Sequence, residues 1–260
     1  MLGKSSGRRS TLALPVRAAI DHATAMRLAA VAYDRFADAL EGLEADDWSR
    51  PTDCPGWDVR QLACHTIGMA AMATSPVETA RQQWRAGRRA RATGVDPLTA
   101  LTAVQVDERA DWSPSRVVEE ARRVGPRAVR GRRRTPGVLR RRRLPQVQHV
   151  DGVAEHWTIG FLNDVILTRD PWMHRMDVVA ATGGDPVLTR DHDGVLVADV
   201  VAEWAARHGA AYRLTLTGPA GGSWSHGEGG QVIELDAVDF CRVLSGRGDG
   251  DGLLAVGVPF

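Results

Sequence analysis

Asp170, His174 and Asp177 stand at i, i+4 and i+7 in the segment TRDPWMHRMDVVAATG. At 100° per residue they fall at about 0°, 40° and −20° on a helical wheel, inside an arc of about 60°. Arg169 and Arg175 point elsewhere on that wheel. A helix that buries such a face must pair these groups or give them a metal, because lone ionisable groups are costly to bury. His65 lies on the apolar stripe Leu62, His65, Met69, Met72 of an earlier segment, so it points inward. Two histidines and a carboxylate from two facing helices supply the three protein ligands of an open catalytic metal site, with one position left for water or substrate. Two plainer readings stand beside this one. His65 can be a hydrogen-bonded core residue. Pro171 can start a fresh helix with Asp170 as its N-cap, which leaves Asp177 as the carboxylate.

Helices must position these groups. Met26, Ala29, Tyr33, Phe36, Leu40 and Leu43 recur every three or four residues and predict a helix over 21–43. The polar stretch EADDWSRPTDCPGW reads as an ordered loop, with Trp48, Cys54 and Trp57 as its packing residues. A second helix starts near Asp58, and a third is expected over 115–130. Nine arginines follow between Arg127 and Arg143, and about 127–145 reads as a solvated, mobile loop. A long helix is expected from Val153 to Thr182, stopped by Gly183 and Gly184. Four helices with one long connection make a four-helix bundle. After Gly184 the pattern changes to a helix over 191–207, a strand from Tyr212 to Leu216, a Gly-rich turn and a strand over 232–235. A helix capped by Asp236 and a final strand LLAVGVPF follow. The expected organisation is an extension over 1–20, a helical bundle over 21–185 and a small α+β domain over 186–260.

The 260 residues carry 33 Lys and Arg against 32 Asp and Glu, so bulk charge points to no polyanionic partner. The arginine run has no interleaved aromatics and no recognition helix, so no nucleic acid is expected. Three scattered cysteines without a C-x-x-C exclude a disulfide framework and suit a reducing cytoplasm. No signal peptide or membrane span is expected. Cys64 neighbours His65 but lies about 100° around its helix, off the same face. GPAGGSWSHGEGG lacks the lysine of a phosphate loop. His149, His156, His192, His208 and His226 show no ligand spacing.

Trp48, PTDCPGW at 51–57 and VRQLACH ending at His65 resemble the first-to-second helix signature of mycothiol-dependent maleylpyruvate isomerases and their DinB-like relatives. RDPWMHRMDVVAATG resembles the last bundle helix of that family. LTGPAGG, ELDAVDFCRVLSGR and the final VPF resemble its small sterol-carrier-like domain. The resemblance implies a divalent metal, usually zinc, held by His65, Asp170 and His174, with Asp177 behind His174 or as the alternative carboxylate. The isomerase has Glu where this chain has Asp170, one methylene shorter and followed by Pro171. The family also implies a catalytic arginine in the small domain. Arg247 matches it, with a solvated role at a helix C-terminus as the alternative. Mycothiol is the implied cosubstrate, in S-transfer or thiol-assisted isomerisation of a small electrophilic metabolite. Two other functions stay open: a metal-dependent hydrolase using water without a thiol, and a non-catalytic DinB-like binding protein.

Overall fold

The computed structural model describes residues 20–260. Residues 1–19, nearly all of the expected N-terminal extension, lie outside the described part. The chain is mainly helical, with a small sheet near its C-terminus. Helix α1 (His22–Glu41) starts where the Asp21 side chain accepts from Thr24 N, and α2 (Val59–Met72) starts in a capping box made by Asp58 and Gln61. Helix α5 (Pro114–Arg133) begins with Ser113 as cap and Pro114 in the first turn. These three pack around Met26, Tyr33, Phe36, Leu40, Leu62 and Ile67, with Trp48 closing one end.

The connection between α2 and α5, for which no element was expected, is helical. It holds α3 (Pro76–Thr93) and α4 (Pro97–Asp107), each with a capping Ser75 or Asp96 ahead of an N-terminal proline. Met69, Met72, Ala86, Ala100, Leu101 and Leu167 form their shared core.

The arginine-rich segment also departs from the expected solvated loop. Helix α5 runs on to Arg133, and Arg132 is buried. A Cβ on Gly131 would lie 2.3 Å from Ala73 O and 2.7 Å from Thr74 O, so only glycine lets α5 press against the end of α2. Residues 134–143 include only the short α6 (Gly137–Arg140), and Arg141, Arg142 and Arg143 are exposed. A hairpin of β1 (Gln148–Val150) and β2 (Val153–Glu155) takes the place of the first turn of the expected long helix. Helix begins instead at α7 (Ile159–Phe161), passes through a π turn at Leu162–Ile166 and continues as α8 (Leu167–Thr182).

Pro171 sits inside α8 rather than at its start, which rules out Asp170 as an N-cap. Proline has no N–H to give to the carbonyl four residues back, Leu167 O. That carbonyl accepts instead from Arg132 Nη1 at 2.8 Å and Tyr33 Oη at 3.4 Å. Arg132 also donates to Asn163 O and Thr168 Oγ1. A buried arginine thus repairs the helix that carries the candidate site.

After Gly183 closes α8 in a left-handed cap, α9 (Val195–His208) leads into a three-stranded sheet of order β4-β3-β5. Strand β3 (Tyr212–Thr217) pairs antiparallel with β4 (Gly222–His226) and parallel with β5 (Gln231–Asp236). Part of the expected Gly-rich turn is therefore strand. Helix α10 (Ala237–Leu244) covers the sheet, and the expected last strand is a 3-10 turn at Gly252–Ala255 followed by irregular chain. One apolar cluster joins Leu28 and Ala32 of α1 and Trp172, Met173 and Met176 of α8 to α9, the sheet and α10.

Asp193 anchors this junction. It accepts from Arg35 at 2.5 Å, Arg175 at 2.6 Å, Trp172 Nε1 at 2.9 Å and Thr189 N at 2.7 Å. Burial alone would raise its pKa, but these partners and His192 hold it well below the usual carboxylate range. A depressed folded pKa contributes stability above the unfolded value of about 3.9, and loses it as pH falls below that value. Asp193→Ala should therefore cost about 3–5 kcal/mol in urea unfolding at pH 7, since it strands buried arginines. Its difference from wild type should shrink as pH drops below about 4.

Candidate metal centre

Helices α2 and α8 face each other across the bundle and bring His65, Asp170 and His174 together, with their ligand atoms within 4.8 Å of one another. All three are buried. His65 Nε2 lies 3.9 Å and His174 Nε2 3.6 Å from Asp170 Oδ1. Ligands about 2.1 Å from a tetrahedral metal stand about 3.4 Å apart, so the three atoms sit slightly wider than a loaded site.

The proton inventory fits. His65 Nδ1 donates to Gln105 Oε1 at 2.8 Å, and His174 Nδ1 donates to Asp177 Oδ2 at 2.9 Å. His65 then turns an Nε2 lone pair toward Asp170, and the His174 Nε2 faces the same oxygen, where a cation would take the place of its proton. Metal-ligating histidines are commonly held this way, with the second ring nitrogen bonded to a carboxylate or carbonyl. Asp170 Oδ2 is buried and has no hydrogen-bond partner. A buried carboxylate oxygen without a donor is costly unless something else satisfies it. The residues present therefore fit a divalent cation.

Charges at the site are strongly coupled. Burial pushes His65 down to about 3, and the neighbouring His174 adds to the effect. Burial would lower His174 too, but the Asp170 charge and the Asp177 hydrogen bond outweigh it and raise it to about 10. Burial raises Asp170. Burial would also raise Asp177, yet His174 and Arg247 hold it at about 2.

Asp177 is committed elsewhere. Arg247 donates to it twice, Nε to Oδ1 at 2.5 Å and Nη2 to Oδ2 at 2.7 Å. Arg247 is thus drawn from the C-terminal part onto α8 as a largely buried group, not a solvated arginine at a helix end. Arg242 Nη1 lies 3.7 Å from Asp177 Oδ1, and Arg242 also bonds Asp53. The sequence placed Cys54 among loop packing residues. Its Sγ in fact lies 3.6 Å from Asp177 Oδ2, 4.0 Å from His174 Nδ1 and 3.6 Å from Arg247 Nη2. Cys54, His174 and Asp177 form a second set with metal-ligand spacing. Both Asp177 oxygens already face guanidinium, which disfavours a cation there. Cys64 stays apart, as its helix position requires, and contacts Arg109 O. Trp57 packs its ring 4.9 Å from that of His65. A cleft of about 250 Å³ opens beside these groups, lined by Asp53, Cys54, Pro55, Trp57, Ser245, Gly246 and Arg247. Gln105 was missed in the sequence because it lies in the unforeseen α4.

The profile of the family described as Mycothiol maleylpyruvate isomerase N-terminal domain matches residues 29–179, a span that contains His65, Asp170 and His174. The chain belongs to this family. Two crystal structures share its fold. The mycothiol-dependent maleylpyruvate isomerase is 16% identical, with a TM-score of 0.55, covering 89% of this chain and 92% of that one. A histidine-to-alanine mutant of that enzyme is 15% identical, with a TM-score of 0.54, covering 88% and 90%. No curated protein sequence matches this chain. Among the described residues no helix is long and apolar enough to cross a membrane.

The cysteines give a direct check on this geometry. Cys54 is partly exposed at the cleft, whereas Cys64 and Cys241 are buried, with burial raising both thiols and Cys64 to about 11. A small alkylating reagent should label Cys54 alone in the native protein and all three thiols in denaturant, as read by peptide mass spectrometry. Native labelling of Cys64 would contradict the packing of α2.

Proposed function

We propose that this chain is a divalent-metal-dependent enzyme, with zinc as the cation, that uses mycothiol in S-transfer to, or thiol-assisted isomerisation of, a small electrophilic metabolite. Family membership and the shared fold of a mycothiol-dependent maleylpyruvate isomerase support the thiol and the isomerisation. The observation that carries the metal is the buried Asp170 carboxylate, with Oδ2 unpartnered and Oδ1 within 4 Å of both His65 Nε2 and His174 Nε2. His65, Asp170 and His174 would hold the cation. Bound there, it would supply Lewis acidity that lowers the pKa of a thiol or water, for water from ~15.7 to ~7.

The chain's own groups do the rest. Asp177 orients His174 through Nδ1 and fixes Arg247 at the rim of the cleft. Arg247, the catalytic candidate in the C-terminal part, would bind an anionic group of the substrate and hold its electrophilic carbon toward the incoming sulfur. Addition of the thiol across a double bond, rotation about the resulting single bond and elimination of the thiol would give the isomer with no net change in atoms. Addition without elimination would give an S-conjugate. The three free cysteines suit a reducing cytoplasm.

Zinc-supplemented protein should contain one metal per chain. Asp170→Ala and His174→Ala should abolish binding, while Asp177→Ala should weaken it about 10- to 100-fold, as for a residue that orients a ligand. A larger loss from Asp177→Ala than from Asp170→Ala would contradict the assignment. For the reaction, mass spectrometry should find mycothiol conjugates or isomerised product with wild type and not with His65→Ala. Metal-dependent turnover indifferent to thiol would make the protein a hydrolase. Equal product from both proteins would leave a binding protein.

A further inference from the structure

Behind His65 runs a buried chain of amides that belongs to no ligand set. His65 Nδ1 meets Gln105 Oε1 at 2.8 Å, and Gln105 Nε2 donates to Gln82 Oε1 at 2.9 Å and to Met69 Sδ at 3.3 Å. Gln82 Nε2 donates to Gly68 O at 3.1 Å and to Glu78 Oε1 at 2.9 Å. Both glutamines are 0% exposed. Bulk solvent does not reach their polar atoms, so each amide orientation must satisfy its neighbours.

The far end of the chain sets the direction of every link. A backbone carbonyl can only accept, and so can an ionised carboxylate. Arg81 donates two hydrogen bonds to Glu78, which keeps that carboxylate ionised. Gln82 must therefore turn its NH2 toward Gly68 and Glu78 and its oxygen toward Gln105. That oxygen claims the Gln105 NH2 and leaves the Gln105 oxygen for His65. Reversing either amide would set donor against donor or acceptor against acceptor. His65 can then bond only as a donor through Nδ1, which leaves the Nε2 lone pair facing Asp170.

Packing enforces the same arrangement. A Cβ on Gly68 would stand 2.6 Å from both Cβ and Cγ of Gln105, closer than real side-chain contacts allow. Glycine at 68 is what lets α4 bring Gln105 against α2, one turn from His65. Three helices thus contribute to one device: Gly68 from α2, Gln82 from α3 and Gln105 from α4.

We propose that Gln105, anchored by Gln82 over Gly68, is a positioning residue that fixes His65 in its Nδ1-protonated tautomer with Nε2 aimed at Asp170. It extends the metal-site reading above, which gives that lone pair its use. The experiment separates the two. Long-range proton–nitrogen NMR on the metal-free protein at pH 7 reads the His65 tautomer, and zinc titration reads affinity independently of activity. In wild type His65 should be Nδ1-protonated. Gln105→Leu should shift it toward the Nε2-protonated form that free imidazole prefers, and weaken zinc about 10- to 100-fold. Gln105→Glu, buried against the Gln82 oxygen, should take up a proton, donate it to Gln82 Oε1 and keep an acceptor for Nδ1, so it should hold the wild-type tautomer and most of the affinity. Gln82→Leu should move both readouts in the direction of Gln105→Leu, by less. An Nε2-protonated His65 in wild type, or an unchanged tautomer in a folded Gln105→Leu, overturns the inference. If Gln105→Leu fails to fold, wild type and Gln105→Glu still decide it. If wild type binds no zinc, the metal reading fails while the tautomer still tests the role of Gln105.

Discussion

Helix α8 is buried from Leu167 to Val178, yet five residues of that span, Arg169, Asp170, His174, Arg175 and Asp177, are ionisable. Each unpaired charge there would cost several kcal/mol, so every face of the helix needs a partner of opposite character. The rest of the structure supplies them. Arg169 reaches Asp199 at 2.6 Å and Glu203 at 2.7 Å on α9. Arg175 reaches Asp193 in the π turn just before that same helix, and Asp177 takes Arg247 from beyond α10. What remains is the face toward α2, where two imidazole nitrogens and a carboxylate meet with one oxygen unsatisfied. The ion pairs therefore dock the C-terminal part, and the unpaired face makes the site.

The same helix explains why the docking matters for chemistry. Arg247 lies on a segment joined to the bundle through the apolar cluster around Trp172 and Trp204 and through the ion pairs of Arg169 and Arg175. Moving that segment would take the guanidinium off Asp177, and with it the partner that keeps Asp177 aimed at His174. His174 and Arg247 are thus tied through one carboxylate. This arrangement lets the cleft be shaped by two parts of the chain without loosening His174.

Much of the site was legible because a helical wheel puts Asp170, His174 and Asp177 on one arc whatever surrounds them. The inward pointing of His65 followed from Leu62, Met69 and Met72 in the same way. Sequence spacing could not show that Asp177 faces Arg247, since that contact spans 70 residues and depends on how the C-terminal part docks. Nor could it place Cys54, held in a loop whose path is set by tertiary contacts. Helices α3 and α4 did leave a signal: Ser75-Pro76 and Asp96-Pro97 are the same kind of start as Ser113-Pro114 at α5. The interior of α3 is polar and buries only Gln82 and Ala86, so an apolar stripe gives little sign of it, whereas α4 does bury Ala100, Leu101 and Val104. Arginine density misled in 127–133, because the burial of Arg132 answers a need created by Pro171 far along the chain.

X-ray absorption at the zinc edge of the loaded wild-type protein tests the central claim most directly, because the two possible ligand sets differ in sulfur. Only nitrogen and oxygen neighbours at about 2.0–2.2 Å are expected, with the outer-ring signature of two imidazoles, from His65 and His174 beside Asp170. A sulfur neighbour at about 2.3 Å with a single imidazole would place the metal on Cys54, His174 and Asp177 and contradict that claim.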